Sequence, residues 1–171
     1  IWIPVILLVG LWVRVRSGGP VLYQQTRVGR DGAIFECIKF RTMIPDAEED
    51  GRARLATLDD DRIVPALAWM RKMRADELPQ LFNVLRGEMS LVGPRPERPE
   101  LVAEITRRVP GYIRRNELPP GLTGLAQVHG RYGTDAEYKL GYDLQYLVNW
   151  SLVQDIQILF RTIWVVLSRR V

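Results

Sequence analysis

The sequence predicts an α+β fold, rich in helix, with one small β-ribbon and amphipathic helices suited to an interface. Three observations predict it. The chain opens on an uncharged run, IWIPVILLVGLWV, from Ile1 to Val13. An Asp31-Gly32 pair separates two β-prone stretches. Near the C-terminus, apolar residues recur at helical spacing behind a Ser151/Gln154 pair with capping-box spacing.

Composition narrows the class. A chain of 171 residues suits one domain and can bury a core without metal or disulfide staples. With 47% hydrophobic and 26% charged residues, it is neither a disordered tail nor a low-complexity linker. One cysteine, Cys37, excludes an intrachain disulfide and a Cys-based zinc site, and fits a reducing compartment. One histidine, His129, excludes a His cluster. The formal charge of +4 favours an anionic partner such as a phosphate, a nucleotide or an acidic lipid face. Scattered charge and the lack of a recognised binding motif argue against nucleic acid.

The elements follow in order. Residues 1–13 would reach about 20 Å as a helix, short of a hydrocarbon core of about 30 Å. They read as the tail of a truncated span, a segment that enters a bilayer and turns back, or a buried core helix. Pro4 and Gly10 are breakers within them, Trp2 and Trp12 suit an interface, and Arg14 and Arg16 suit anionic headgroups. The chain opens on Ile rather than Met, which points to a fragment or processed product; no basic segment precedes the apolar run, so it is not a signal peptide. Ser17-Gly18-Gly19-Pro20 marks a boundary. Val21–Val28 and Ala33–Met43 read as the ribbon, joined by a turn at Gly29-Arg30-Asp31-Gly32. Cys37 falls in it as a small buried hydrophobe.

The acids between Pro45 and Asp61 read as a solvated face; Asp59, Asp60 and Asp61 are a weaker metal candidate, because consecutive side chains point apart. Ile63–Arg74 reads as a helix with Pro65 near its start. A second helix runs to Arg86, with Leu78, Leu81, Phe82 and Leu85 as its apolar stripe, Pro79 in its first turn and Gly87 as its stop. Leu101–Val109 is a third, ended by Pro110-Gly111. Residues 119–124 and 129–133 read as loops around a short apolar run, Leu125–Val128. From Ser151 a long helix presents Leu152, Ile156, Leu159, Phe160, Ile163 and Leu167 on one side, and Asp155, Gln157 and Arg161 on the other.

The candidate chemistry centres on Asp76-Glu77. Adjacent helical residues do not share a face, but at a helix start both can border one anion-favouring mouth of N–H groups. The bland reading is favourable charge at a helix start. The sharper one is a carboxylate nucleophile acting on a phosphate, with magnesium and arginines relieving the repulsion. Arg71, Lys72, Arg74, Arg95, Lys39 and Arg41 are the nearby cations. Gly93-Pro94-Arg95-Pro96 holds one arginine between two prolines, a rigid surface turn or a preorganised phosphate contact. His129 has no partner of nucleophilic-triad type in the sequence and reads as structural or close to substrate.

Five stretches, GPVLYQQTRVGRDG, IKFRTM, DELPQLFNVLRGEMSLVGPRPE, PPGLTGLAQVHGR and YLVNWSLVQDIQILFRT, resemble in order the signatures of the bacterial sugar transferase family, the monotopic phosphoglycosyl transferases acting on polyprenyl phosphate. The resemblance covers about Pro4 to Arg161. It implies a monotopic, membrane-associated catalytic domain, with residues 1–17 a partial re-entrant membrane helix broken at Pro4 and residues 18–171 the cytoplasmic catalytic part. It implies transfer of a sugar-1-phosphate from a UDP-sugar to undecaprenyl phosphate with release of UMP, the step that initiates exopolysaccharide or O-antigen assembly. By the same resemblance Asp76 attacks and forms an aspartyl-phosphosugar intermediate, while Glu77 holds Mg2+ or positions phosphates, so Asp76 and Glu77 are also the metal candidates. Lys39, Arg41, Arg71, Arg95 and Arg131 match basic positions assigned to phosphate contact. The site would face the cytoplasm at the inner membrane, among membrane lipids, and the interfacial helices suit a homodimer. Pro65-Ala66-Leu67 and Ala126 depart from the usual pattern without touching Asp76 or Glu77. A nucleotide-sugar hydrolase and a non-catalytic scaffold for glycan enzymes are the alternative readings.

Overall fold

The computed structural model of the chain describes residues 2–44, 60–130 and 135–168. Most of the acidic stretch, including Asp59, and the candidate Arg131 therefore lie outside the described residues. Helices and small two-stranded sheets make an α+β protein. The chain divides into two compact units, Ile1–Gln24 with Ile38–Pro79, and Gln25–Cys37 with Gln80–Val171.

The first unit is built on helix α1, Trp2–Ser17. Pro4 lies within it, and the helix continues through Gly10 instead of breaking there. Val13 is fully buried against Phe40, Leu67 and Met70, with Ile6, Val9, Val21 and Val64 packed around them. Leu7, Leu8, Leu11 and Val15 point outward and stay exposed. Arg14 donates to the Gly19 carbonyl at 2.8 Å, and Arg16 lies 4.5 Å over the Trp12 ring. After residue 40 the chain pairs with residues 62–64, through an antiparallel bridge between Met43 and Ile63 and a bond from the Val64 amide to the Thr42 carbonyl. Ile63 is thus held in extended chain. The helix expected from it is shorter, a 3₁₀ turn Pro65–Leu67 followed by α2, Ala68–Lys72.

Strands β1, Leu22–Val28, and β2, Ile34–Phe40, form the expected ribbon, antiparallel because so short a link permits nothing else. Asp31 and Gly32 have φ of 53° and 82°, and the Ala33 amide bonds the Arg30 carbonyl at 3.0 Å. Two successive positive φ angles make a type I′ turn, which Asp-Gly favours.

In the second unit, α3, Leu81–Leu85, ends as expected at Gly87, whose φ is 77°. Its buried residue is Asn83, not the apolar stripe; Leu85 is 82% exposed. Asn83 donates to the Glu36 carbonyl at 2.8 Å and to Glu88 at 2.7 Å, tying α3 to the ribbon tip. There Cys37 is buried with Phe35 and Met89, as expected of a small hydrophobe. β3, Ser90–Val92, pairs in parallel with β4, Gly121–Thr123, matching Ser90 to Gly121 and Val92 to Thr123. A parallel pair needs a long crossover. It contains α4, Pro99–Arg108, which ends before Gly111 in a left-handed conformation, and a 3₁₀ segment, Tyr112–Glu117. The stretch 119–124, read as a loop, thus holds β4; the short apolar run Leu125–Val128 forms α5, Leu125–His129, and α6, Ala136–Asn149, follows.

The last helix, α7, spans Leu152–Leu167, and Ser151 caps it by accepting from the Gln154 amide at 3.2 Å. The reciprocal half of the capping box is missing, since Gln154 Oε1 is buried without a hydrogen-bond partner. The inward face of α7 is also other than the sequence stripe suggests. Ile158 is 1% exposed, Asp155 accepts from the Tyr146 hydroxyl at 2.6 Å, and Thr162 lies 2.7 Å from Thr123. Leu152, Ile156, Phe160, Ile163 and Leu167 face away from the protein. Among the described residues no helix is long and apolar enough to cross a membrane.

Candidate functional site

The 3₁₀ turn Ala75–Gln80 carries Asp76 and Glu77 at its start and contains Pro79. A 3₁₀ helix has three residues per turn, so i and i+3 share a face. Ala75 and Leu78 accordingly face the same core, packed with Leu67 and Met70. Asp76 and Glu77 occupy the two remaining faces and are 9% and 6% exposed. Apolar neighbours on both sides thus fix the backbone of the two acids. The short turn replaces the longer α-helix start that the spacing suggests.

Arg74 precedes the turn with φ of 52°, a left-handed conformation unusual for a side chain of this size. This bend lets the Glu77 amide bond the Arg74 carbonyl at 3.1 Å, and places Arg74 Nη1 3.7 Å from Glu77 Oε2. Arg74 is therefore a cation that the structure brings to Glu77. The sequence marks it only as one of several nearby charges; its backbone geometry leaves no trace in residue type.

Lys39, Arg41 and Arg71 belong to the same unit, each half-buried. Arg71 Nη1 reaches Thr42 Oγ1 at 3.5 Å. Arg41 lies 6.0 Å over the Tyr23 ring, and its Nε is buried without a hydrogen-bond partner. Asp60 is engaged locally by Arg62, at 2.8 Å and 2.5 Å, and the bond from Arg62 pulls its carboxyl down to about 2. Among the described residues no group of three or more acidic, histidine or cysteine side chains gathers to hold a metal.

Arg95 belongs to the second unit. Four consecutive carbonyls of its segment are pinned. Pro94 accepts from the Gly121 amide at 2.9 Å, Arg95 from Arg115 Nη2 at 2.9 Å, Pro96 from Arg27 Nη1 at 2.9 Å, and Glu97 from the Val28 amide at 3.0 Å. The Gly93 amide donates to Thr123 at 2.8 Å. The rigid arginine segment read from its prolines is thus rigid for further reasons that the motif does not display.

Two of those pins are arginines absent from the sequence candidates, Arg115 buried and Arg27 half-buried. Arg115 donates to Asp143 at 2.8 Å and to the Tyr112 hydroxyl at 3.0 Å, and the side chains of Arg115 and Asp143 are 3% and 2% exposed. Burial alone would lower the Arg115 pKa; Asp143, Tyr112 and Glu97 outweigh it and hold the guanidinium charged. Burial pushes the Tyr112 hydroxyl up to about 12. Burial, and then the charge of Arg95, lower Arg27. Each of the two arginines also has an acid beside it, Glu97 at 3.6 Å from Arg27 and Asp143 at 2.8 Å from Arg115.

His129 ends α5 stacked on Tyr142, with ring centroids 4.9 Å apart, and its Nε2 lies 2.6 Å from Arg161 Nη1. A guanidinium only donates, so Nε2 accepts and the ring is neutral. Burial and Arg161 both lower its pKa.

The profile of a family described as bacterial sugar transferase matches residues 1–169. The chain is 40% identical over 96% of its length to the UDP-N-acetylgalactosamine-undecaprenyl-phosphate N-acetylgalactosaminephosphotransferase of Aeromonas hydrophila, covering 40% of that protein. It is 40% identical to the exopolysaccharide production protein ExoY of Rhizobium meliloti, over 94% of this chain and 76% of that protein. It is 43% identical to the UDP-glucose:undecaprenyl-phosphate glucose-1-phosphate transferase of Caulobacter vibrioides, over 94% of this chain and 61% of that protein. With that match running nearly end to end, the chain belongs to the bacterial sugar transferase family.

Proposed function

We propose that this chain carries the catalytic part of a transferase that moves a sugar-1-phosphate from a UDP-sugar to undecaprenyl phosphate and releases UMP. The observation that carries the reading is the adjacent pair Asp76 and Glu77, buried at the start of a short helical turn beside Arg74. The relatives' names supply the donor and acceptor classes.

Asp76 is the nucleophile. Its carboxylate oxygen bonds to the β-phosphorus as the bond from that phosphorus to the bridging oxygen breaks, and the electron pair leaves with UMP. An oxygen of the lipid phosphate then bonds to the same phosphorus, the acyl-phosphate bond breaks and the carboxylate is restored. Two displacements replace one difficult step. Glu77, paired with Arg74, orients the reacting phosphates. Lys39, Arg41, Arg71, Arg95 and Arg131 are assigned to phosphate contacts.

Magnesium uses one or two carboxylates together with substrate phosphates in preference to an all-protein cage. The two neighbouring carboxylates Asp76 and Glu77 fit that donor set. Asp76 and Glu77 would hold the ion, which when bound neutralises diphosphate charge. The exposed apolar sides of α1 and α7 support contact with membrane lipids, with Arg14 and Arg16 at headgroup level, and the site is assigned to the cytoplasmic face of the inner membrane as part of the same proposal.

The test is UMP release from a panel of UDP-sugars with undecaprenyl phosphate in nanodiscs. Release that needs both substrates and disappears in Asp76→Asn supports the reading. Release without lipid acceptor indicates a hydrolase, and normal turnover by Asp76→Asn removes Asp76 as nucleophile.

A further inference from the structure

We propose that Arg115 is a positioning residue for substrate binding, acting through Arg95. This rests on the reading of Arg95 as a phosphate contact.

The direction in which a side chain leaves the backbone is set by the two peptide planes that flank its Cα. At Arg95 both planes are held. The carbonyl of Pro94, in the plane before it, accepts from the Gly121 amide, and the carbonyl of Arg95 itself, in the plane after it, accepts from Arg115 Nη2. Pro96 further confines Arg95 to extended backbone. The first bond comes from the β4 backbone. The second comes from a side chain and is the one that substitution can remove.

Arg115 can make that bond because its own fork is held at two other points, by Asp143 and the Tyr112 hydroxyl. A planar guanidinium satisfies three acceptors in fixed directions, whereas a lysine ammonium on a flexible stem does not reproduce that geometry. Arg115 is almost wholly buried, so it contacts no substrate itself. Its influence passes through the carbonyl it holds. A cation fixed before substrate arrives loses less freedom on binding than one that must be ordered then.

The experiment is a double-mutant cycle on the full chain in nanodiscs, with UDP-glucose and UDP-N-acetylgalactosamine as donors and UMP release as readout. The variants are Arg95→Ala, Arg115→Lys and both together, with a thermal melt of each. Arg115→Lys is expected to raise KM for the donor about tenfold and leave kcat within about twofold. In the Arg95→Ala background it is expected to raise KM no further. Arg114→Ala, which removes an exposed charge one residue away, is expected to leave KM unchanged. A raised KM in Arg95→Ala that Arg115→Lys multiplies in full overturns the positioning role and leaves the phosphate reading intact. An unchanged KM in Arg95→Ala overturns the phosphate reading and the positioning role with it. Should Arg115→Lys melt below the assay temperature, Tyr112→Phe carries the same test. It loosens the fork without removing charge, and its two- to threefold rise in KM is expected to vanish when Arg95 is alanine.

Discussion

Gly121 lies so close to Gly93 that a Cβ added to it would come within 2.1 Å of the Gly93 amide nitrogen. The same Cβ would lie 2.3 Å from the Thr123 carbonyl oxygen. Both obstacles are backbone, so neither can turn aside. This contact is what lets the three-residue strands β3 and β4 pair under the Arg95 segment. Gly121→Ala is therefore expected to cost about 3 kcal/mol or more, through overpacking that forces the strands apart. Gly87→Ala separates the two effects, because φ there is 77° but the space is open. It is expected to cost only about 1–2 kcal/mol of backbone strain. Thermal melts of the two variants check the contrast, and equal shifts would show that close approach of the strands is not the cause.

The left-handed backbone at Arg74 separates stability from function beside the acids. Arg74→Gly removes strain of roughly 1–2 kcal/mol, offset by up to about 1 kcal/mol for the added freedom of glycine in the unfolded chain. Its melting temperature is expected to hold or rise slightly. Arg74→Ala keeps the strain and is expected to be the less stable of the two. Both lose the charge that faces Glu77, so UMP release is expected to fall in both by about tenfold, a barrier change of about 1.4 kcal/mol. Melts and initial rates measured on the same preparations decide it. Full activity in Arg74→Gly would show that Arg74 serves only the turn.

The single histidine makes one pKa directly measurable. Burial first, and Arg161 second, lower the His129 pKa from 6.5. A depressed histidine binds its proton less readily when folded than when unfolded. Its contribution to stability is thus present above the unfolded value and is lost as pH falls through about 6.5 toward the folded one. The imidazole resonances in NMR are expected to titrate below pH 6.5. In Arg161→Gln the midpoint is expected to rise part of the way back, since burial remains. An unchanged midpoint would remove Arg161 as a cause.

What could be read in the sequence was local chemistry. Asp31-Gly32 announces its turn because only certain residues accept two positive φ angles, and Ser151 announces its helix because a hydroxyl can satisfy an orphan amide. Asp76 and Glu77 stand out as adjacent acids at a helix start, and Arg95 stands out between prolines. The supports of these groups were not legible. Arg115 and Asp143 are far apart in sequence and meet only through the fold. α6 turns Leu140, Asp143 and Tyr146 inward, so two polar residues interrupt the apolar pattern that would have disclosed it. β3 and β4 are too short for alternation to show, and a long crossover separates them.

α7 shows most clearly that an apolar stripe does not name its own partner. Ile158 is 1% exposed and Phe160, two residues on, is 70% exposed. The protein-facing side is held by Ile158 together with Asp155 and Thr162, each hydrogen-bonded, so the larger apolar side is left outward. Ile158→Ala is expected to cost about 2–5 kcal/mol through the cavity it leaves. Phe160→Ser and Trp164→Ser are expected to leave the melt in detergent within about 0.5 kcal/mol, as exposed sites do. If the outward side lies in a lipid interface, the same two changes weaken co-sedimentation with anionic vesicles, while Ile158→Ala, as long as it remains folded, does not. Unchanged sedimentation of a Phe160→Ser/Trp164→Ser double variant would show that this side of α7 does not meet lipid, and would turn the question to the exposed apolar side of α1.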